Sequence, residues 1–240
     1  MDVHIGCCGW NYLRPEDVGE DRDWKQRYPH KLALYAAYFD LVEVNSTFYR
    51  LPQVKTAARW FELARAANSE FEFTVKVNQE ITHRDRFRSE RSLAAYERTV
   101  EIADALHAGI LLFQTPASFR PTPENIDRLR AFFTMVDRHG RRFAFEPRGW
   151  DDTTVRAVLD LDLIHVADPF SQLPLTSGTV YLRLHGSPPG KRMYRYNYTA
   201  ADLHRLAGMI SSLVADEVYI LFNNDHMYEN ALVYKKGFTE

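Results

Sequence analysis

Short β-rich runs alternate with polar, amphipathic stretches from one end of the chain to the other. Eight runs read as strands: His4–Trp10, Leu41–Phe48, Glu72–Asn78, Gly109–Thr115, Arg142–Arg148, Asp162–Asp168, Thr179–Gly186 and Glu217–Asn224. Helices are predicted between most of them, at Lys31–Tyr38, Thr56–Ala67, Ser92–Leu106, Pro123–Arg138, Asp152–Leu159 and Ala200–Ala215, with a last one near Tyr228–Lys235. The connection Pro169–Ser177 is too short and proline-rich for a full helix. Such alternation requires parallel strands, because each helix carries the chain back across the sheet. Eight units in 240 residues fit a single α/β domain, residues 1–240, built as one (β/α)₈ TIM-type barrel. An open doubly wound sheet fits less well, since no glycine-rich phosphate fingerprint follows the first run.

Within the strands, bulky apolar residues take one parity and polar residues the other. Val42 and Val44 oppose Glu43, Asn45 and Thr47; Phe73, Val75 and Val77 oppose Thr74, Lys76 and Asn78. Phe143 and Phe145 oppose Glu146 and Arg148, and Val180, Leu182 and Leu184 oppose Tyr181, Arg183 and His185. The helix-facing parity of a barrel must be apolar, so the polar parity points into the lumen. Branched aliphatics usually fill that lumen, because isolated charges there are costly to desolvate. The polar members also gather toward the carboxyl ends of their strands, where barrel active sites form.

Composition changes this picture little. A formal charge of −2 offers no global attraction for a polyanion, so nucleic-acid binding would need a local basic patch. No apolar run approaches a membrane span, and no charged-then-apolar leader opens the sequence, so no membrane partner is expected. Cys7 and Cys8 are adjacent and ill placed for a structural disulfide, which points to a reducing, cytoplasmic setting. Their alternation predicts one thiol toward the lumen and the other toward the helices.

Several ordered motifs carry a family resemblance. They are Ile5-Gly6-Cys7-Cys8-Gly9-Trp10, Val42-Glu43-Val44-Asn45-Ser46-Thr47-Phe48-Tyr49-Arg50, Phe73-Thr74-Val75-Lys76-Val77, Glu146-Pro147-Arg148-Gly149-Trp150, Tyr181-Leu182-Arg183-Leu184-His185-Gly186 and Phe222-Asn223-Asn224-Asp225. Over nearly its whole length the chain resembles the DUF72, or YecE-like, family. The resemblance implies a TIM-type barrel distantly like those of endonuclease IV and xylose isomerase, and it implies no particular reaction. Many relatives have a hydroxyl or small residue where this chain has Cys7 and Cys8, so neither thiol is expected to serve a family-wide role.

The rim residues suggest an enzyme working by metal-independent acid/base chemistry, without distinguishing hydrolase, lyase or isomerase. Glu146, Glu43, His185 and Lys76 are the expected catalytic groups. Arg148, Arg183, Asn45, Tyr49, Gln114, Asp168, Asn223 and Trp10 are the expected ligand-binding groups. Arg forks favour a small polar anion, phosphate-bearing esters included. The competing explanation is that Lys76, Arg148 and Arg183 are neutralised one for one by Glu43, Glu146 and Asp168. No cofactor and no metal site is expected, since His83, His165 and His226 form no ligand spacing, although a carboxylate-bound Mg²⁺ stays open. A basic, aromatic loop, Lys191-Arg192-Met193-Tyr194-Arg195-Tyr196, opened by Ser187-Pro188-Pro189-Gly190, leaves two other readings: nucleic-acid binding or processing, and a non-catalytic ligand sensor.

Overall fold

The computed structural model describes residues 1–186 and 193–238. Eight parallel strands close into a barrel in the order β1-β2-β3-β4-β5-β6-β7-β8. They are β1 Asp2–Cys7, β2 Leu41–Val44, β3 Glu72–Lys76, β4 Ile110–Thr115, β5 Arg142–Pro147, β6 Leu163–Ala167, β7 Gly178–Leu184 and β8 Ala215–Phe222. Helices lie between them: α1 Trp24–Arg27, α2 Lys31–Ala36, α3 Ser46–Tyr49, α4 Val54–Ala67, α5 Glu90–Ala105, α6 Pro123–Met135, α7 Asp152–Arg156, α8 Ala200–Ser211 and α9 Met227–Phe238. This is the (β/α)₈ architecture that the strand–helix alternation predicts. Residues 187–192, the first part of the basic loop singled out in the sequence, lie outside the described residues.

Local chemistry sets the helix starts. Thr122 accepts a hydrogen bond from the Asn125 amide ahead of Pro123, and Thr199 forms a reciprocal capping box with Asp202. The Pro169–Ser177 connection forms no helix, as its length and prolines predict.

The second strand ends sooner than its alternation suggests. Asn45 turns into helical backbone, with φ −82° and ψ −21°, and α3 follows at once. Buried Thr47 holds that turn in place, because its hydroxyl proton is shared between the carbonyls of Val44, at 2.5 Å, and Lys76, at 2.6 Å.

The chain forms two compact units. The first contains Met1–Glu43, Trp60–Glu72 and the described residues from Ala167 onward, and so carries β1, β2, β7 and β8. In it β1 pairs with β8 from Asp2↔Glu217 to Cys7↔Phe222, and β7 pairs with β8 with Tyr181 opposite Tyr219. Where β1 meets β2, the Tyr35 hydroxyl of α2 accepts from the Cys7 amide and donates to the Leu41 carbonyl, both at 2.7 Å. Gly6 makes room for this insertion. A Cβ there would lie 1.8 Å from the Leu41 carbonyl oxygen and 3.1 Å from the Tyr35 hydroxyl.

The second unit contains Val44–Arg59 and Phe73–Val166, with β3, β4, β5 and β6. Its helix-facing side is an aromatic seam. Phe113 and Phe143 lie 5.1 Å apart, Tyr96 of α5 and Phe133 of α6 close on them, and Phe145 meets Trp150 edge-on at 5.9 Å. The β4–β5 register sets Gln114 beside Glu146 on the other parity.

Candidate functional site

Sequence-selected residues are found in each of the two units. In the first unit, Glu43 is fully buried and Arg183 is 1% exposed. Arg183 Nη2 donates to Glu43 Oε1 at 2.7 Å, and the Tyr181 hydroxyl donates to Oε2 at 2.8 Å. The alternating parity of β7 supplies both donors two residues apart. Arg183 Nη2 also lies 3.6 Å from Cys8 Sγ. Burial, then the Glu43 charge, raises the Cys8 thiol well above its ordinary value, so it is held as a neutral thiol. Cys7 points the other way, its Sγ 3.5 Å from the Met227 carbonyl of α9.

Toward the amino ends of the strands, a polar layer continues inside this unit. Tyr219 stacks on Tyr181 at 5.9 Å and on His4 at 4.7 Å, and donates to Glu72 Oε2 at 3.2 Å. His4 Nδ1 lies 3.1 Å from Glu72 Oε1, and that hydrogen bond raises the imidazole's pKa against the opposing effect of burial. At the carboxyl ends, the Asn223 amide lies 3.1 Å from His185 Nδ1. Asp168 organises two loop starts, accepting from the backbone amides of His185 at 3.0 Å and Phe170 at 3.1 Å. After His185 the chain needs a left-handed glycine: Gly186 has φ 62°, and a Cβ there would meet Asn224 Cβ at 2.7 Å.

Trp10, expected to wall a ligand, is 3% exposed and packs edge-on against Trp60 at 5.0 Å. Trp150 is likewise enclosed, with its indole N–H donating to the Phe119 carbonyl at 2.7 Å. Tyr49, in contrast, is 73% exposed.

The second unit gathers Lys76, Gln114, Glu146 and Arg148 at the carboxyl ends of β3, β4 and β5. Lys76 Nζ donates to Gln114 Oε1 at 2.8 Å and sits 4.3 Å above the Phe48 ring. Arg148 Nε donates to Glu146 Oε1 at 3.1 Å. Asn45 opens α3 and brings Phe48 under the lysine. His83 joins this group, edge-on to Phe48 at 4.7 Å with Nδ1 2.9 Å from the Thr82 hydroxyl. Its pKa is lowered to about 4, first by burial and then by the charges of Lys76 and Arg148. The sequence marks His83 only as a histidine after a strand; no periodicity assigns it to the cluster.

His165 belongs elsewhere. Its register partner is Phe145, so it shares the helix-facing parity, and it is 1% exposed. Among the described residues, no three His, Cys, Asp or Glu side chains are grouped to ligate a metal. Among them, too, no helix is long and apolar enough to cross a membrane.

A family model described as "Protein of unknown function DUF72" matches residues 4–238. The chain belongs to the DUF72 family. Two relatives of this DUF72 chain are YecE of Escherichia coli K12, 26% identical over 187 residues, and YunF of Bacillus subtilis, 25% identical over 260. The YecE match covers 71% of this chain and spans 63% of YecE; the YunF match covers 93% and 89%. The crystal structure of a DUF72 family protein from Thermotoga maritima superposes with a TM-score of 0.74 at 20% identity, covering all of both chains. A xylose isomerase domain containing protein from Salmonella typhimurium shares the fold more distantly, with a TM-score of 0.55 at 11% identity over 86% of this chain and 89% of that one.

Proposed function

We propose that this DUF72 chain binds a small anionic ligand, such as a phosphate ester, at the carboxyl ends of β3, β4 and β5, and acts on it by acid/base chemistry. The observation that carries the reading is geometric: Lys76, over the Phe48 ring that His83 also packs against, and Arg148, hydrogen-bonded to Glu146, stand at strand ends of one unit. Cationic and carboxylate side chains thus meet where barrel enzymes place their chemistry. Arg148 supplies a planar fork and Lys76 a compact charge, a pairing suited to phosphate oxygens. Glu146, which accepts from Arg148 Nε, is the carboxylate assigned as general base. With its pKa at about 4, His83 is neutral at physiological pH, so it offers a hydrogen bond without adding charge.

In this reading no step is assigned to Glu43, whose two oxygens are engaged by Arg183 and Tyr181. No step is assigned to His185.

Calorimetric titration with inorganic phosphate and hexose phosphates tests the proposal. Lys76→Met is expected to weaken binding by about ten- to a hundredfold, the loss of one charge-assisted hydrogen bond. Glu146→Gln is expected to retain binding and remove turnover. Wild-type protein that binds no phosphate-bearing probe, or binds one unchanged after Lys76→Met, would overturn it. Binding with no turnover of any probe would make the site a sensor.

A further inference from the structure

We propose that Arg86 is a further anion-binding residue at the carboxyl ends of β3, β4 and β5, and that the group it helps to hold is a phosphate monoester dianion. The inference rests on the anionic site proposed above and names the charged group of its ligand. It starts from the turn after β3. One turn of π-helical backbone, Glu80–Arg84, is closed by the Asp85 amide donating to the Glu80 carbonyl at 2.8 Å, a rare geometry that recurs at functional sites. Two successive residues then take left-handed backbone, Arg86 with φ 56° and Phe87 with φ 60°. That conformation is unfavourable for a residue with a Cβ. Phe87 is buried among Phe119, Phe132 and Phe133, with ring centroids 5.1 to 5.9 Å away. Arg86 stays partly exposed.

The turn fixes the Arg86 guanidinium. Its Nε donates to the His83 carbonyl at 3.1 Å and its Nη2 to the Ser118 hydroxyl at 3.2 Å. Both acceptors are neutral, and among the described residues no carboxylate pairs with Arg86. The neighbouring acid is engaged elsewhere: Asp85 accepts from the Ser89 amide at 2.9 Å and the Ser92 hydroxyl at 2.7 Å, at the start of α5. A guanidinium held in one orientation without a counter-charge is pre-organised for an anion. Its supports belong to the site. His83 packs edge-on to Phe48 at 4.7 Å, the ring that lies under Lys76. Ser118 belongs to the loop after β4, and the Arg148 loop packs on it: the Trp150 indole donates to the Phe119 carbonyl at 2.7 Å, and a Cβ on Gly149 would lie 3.5 Å from Ala117 Cβ. Arg86 is thus braced by the segments that adjoin Lys76 and Arg148. After burial, the charges of Lys76, Arg148 and Arg86 hold the His83 imidazole low, in keeping with one cluster. Cationic donors from three segments match the three terminal oxygens of a monoester, whereas a diester offers two.

Calorimetric titration at about pH 8 and constant ionic strength compares methyl phosphate, a dianion there, with dimethyl phosphate, a monoanion. The wild type is expected to bind methyl phosphate about tenfold or more tightly than dimethyl phosphate. Arg86→Gln should stay folded, its side chain being partly exposed, and should weaken methyl phosphate binding about ten- to a hundredfold but dimethyl phosphate binding less than about threefold. Arg86→Lys should fall between the two. Equal wild-type affinities for the probes, or an equal loss of both in Arg86→Gln, would overturn the monoester assignment. Methyl phosphate binding weakened by Lys76→Met but unchanged in Arg86→Gln would overturn the role of Arg86 and leave the anionic site standing. A wild type that binds neither probe overturns that site and this inference together.

Discussion

Replacing Arg183 with Met is expected to lower the free energy of unfolding by about 3–5 kcal/mol, the usual cost of stranding one member of a buried ion pair. The magnitude follows from the enclosure of both partners, since Arg183 is 1% exposed and Glu43 is fully buried. Without the guanidinium, the carboxylate keeps the Tyr181 hydroxyl and the neighbouring Cys8 thiol but loses its cation. The double substitution Glu43→Leu/Arg183→Met should recover much of the loss, because neither charge then has to be desolvated. Urea midpoints for the two single variants and the double variant close the cycle. A loss below about 1 kcal/mol in Arg183→Met would show that water reaches Glu43 and that the pair is weakly coupled.

Stability should also fall as pH drops from about 6.5 toward 4, and His165 should be the main cause. Its pKa is lowered to about 4, chiefly by burial on the helix-facing side of β6. The unfolded chain takes up the proton near 6.5, before the folded one does, so acid favours unfolding. This stabilisation is fully present above the unfolded value and is lost as pH falls through the folded one. A separation of this size corresponds to about 3 kcal/mol. His83, also lowered to about 4 but only half-buried, adds a smaller contribution in the same direction. His165→Leu should flatten the profile between pH 6.5 and 4, whatever it does to stability at neutral pH. An unchanged slope would assign the acid sensitivity to other groups.

The barrel was legible in the sequence because its signal is distributed. Each strand repeats the same two-residue alternation, and an error in one run does not disturb the other seven. The end of β2 was not legible, since Val42-Glu43-Val44-Asn45-Ser46-Thr47 alternates without a break. What ends the strand is a tertiary contact, the Thr47 hydroxyl reaching the Lys76 carbonyl 29 positions away. The polar inward parity was equally readable, but pairing within it was not. That Glu43 engages Arg183 depends on two strands 140 residues apart in sequence. Trp10 looked like an open wall because it follows a strand, yet Trp60 covers it. His83 was hidden for a related reason: a short turn after β3 carries it to Phe48, and five residues are too few to show a period.

The phenol of Tyr35 has a dynamic consequence for the first strand. The Cys7 amide is sheltered by a side chain of α2 rather than by a carbonyl of the neighbouring strand. Its exchange with deuterium should therefore follow the undocking of that helix, whereas the adjacent Cys8 amide, bonded to the Phe222 carbonyl at 2.9 Å, should exchange only when β8 lets go.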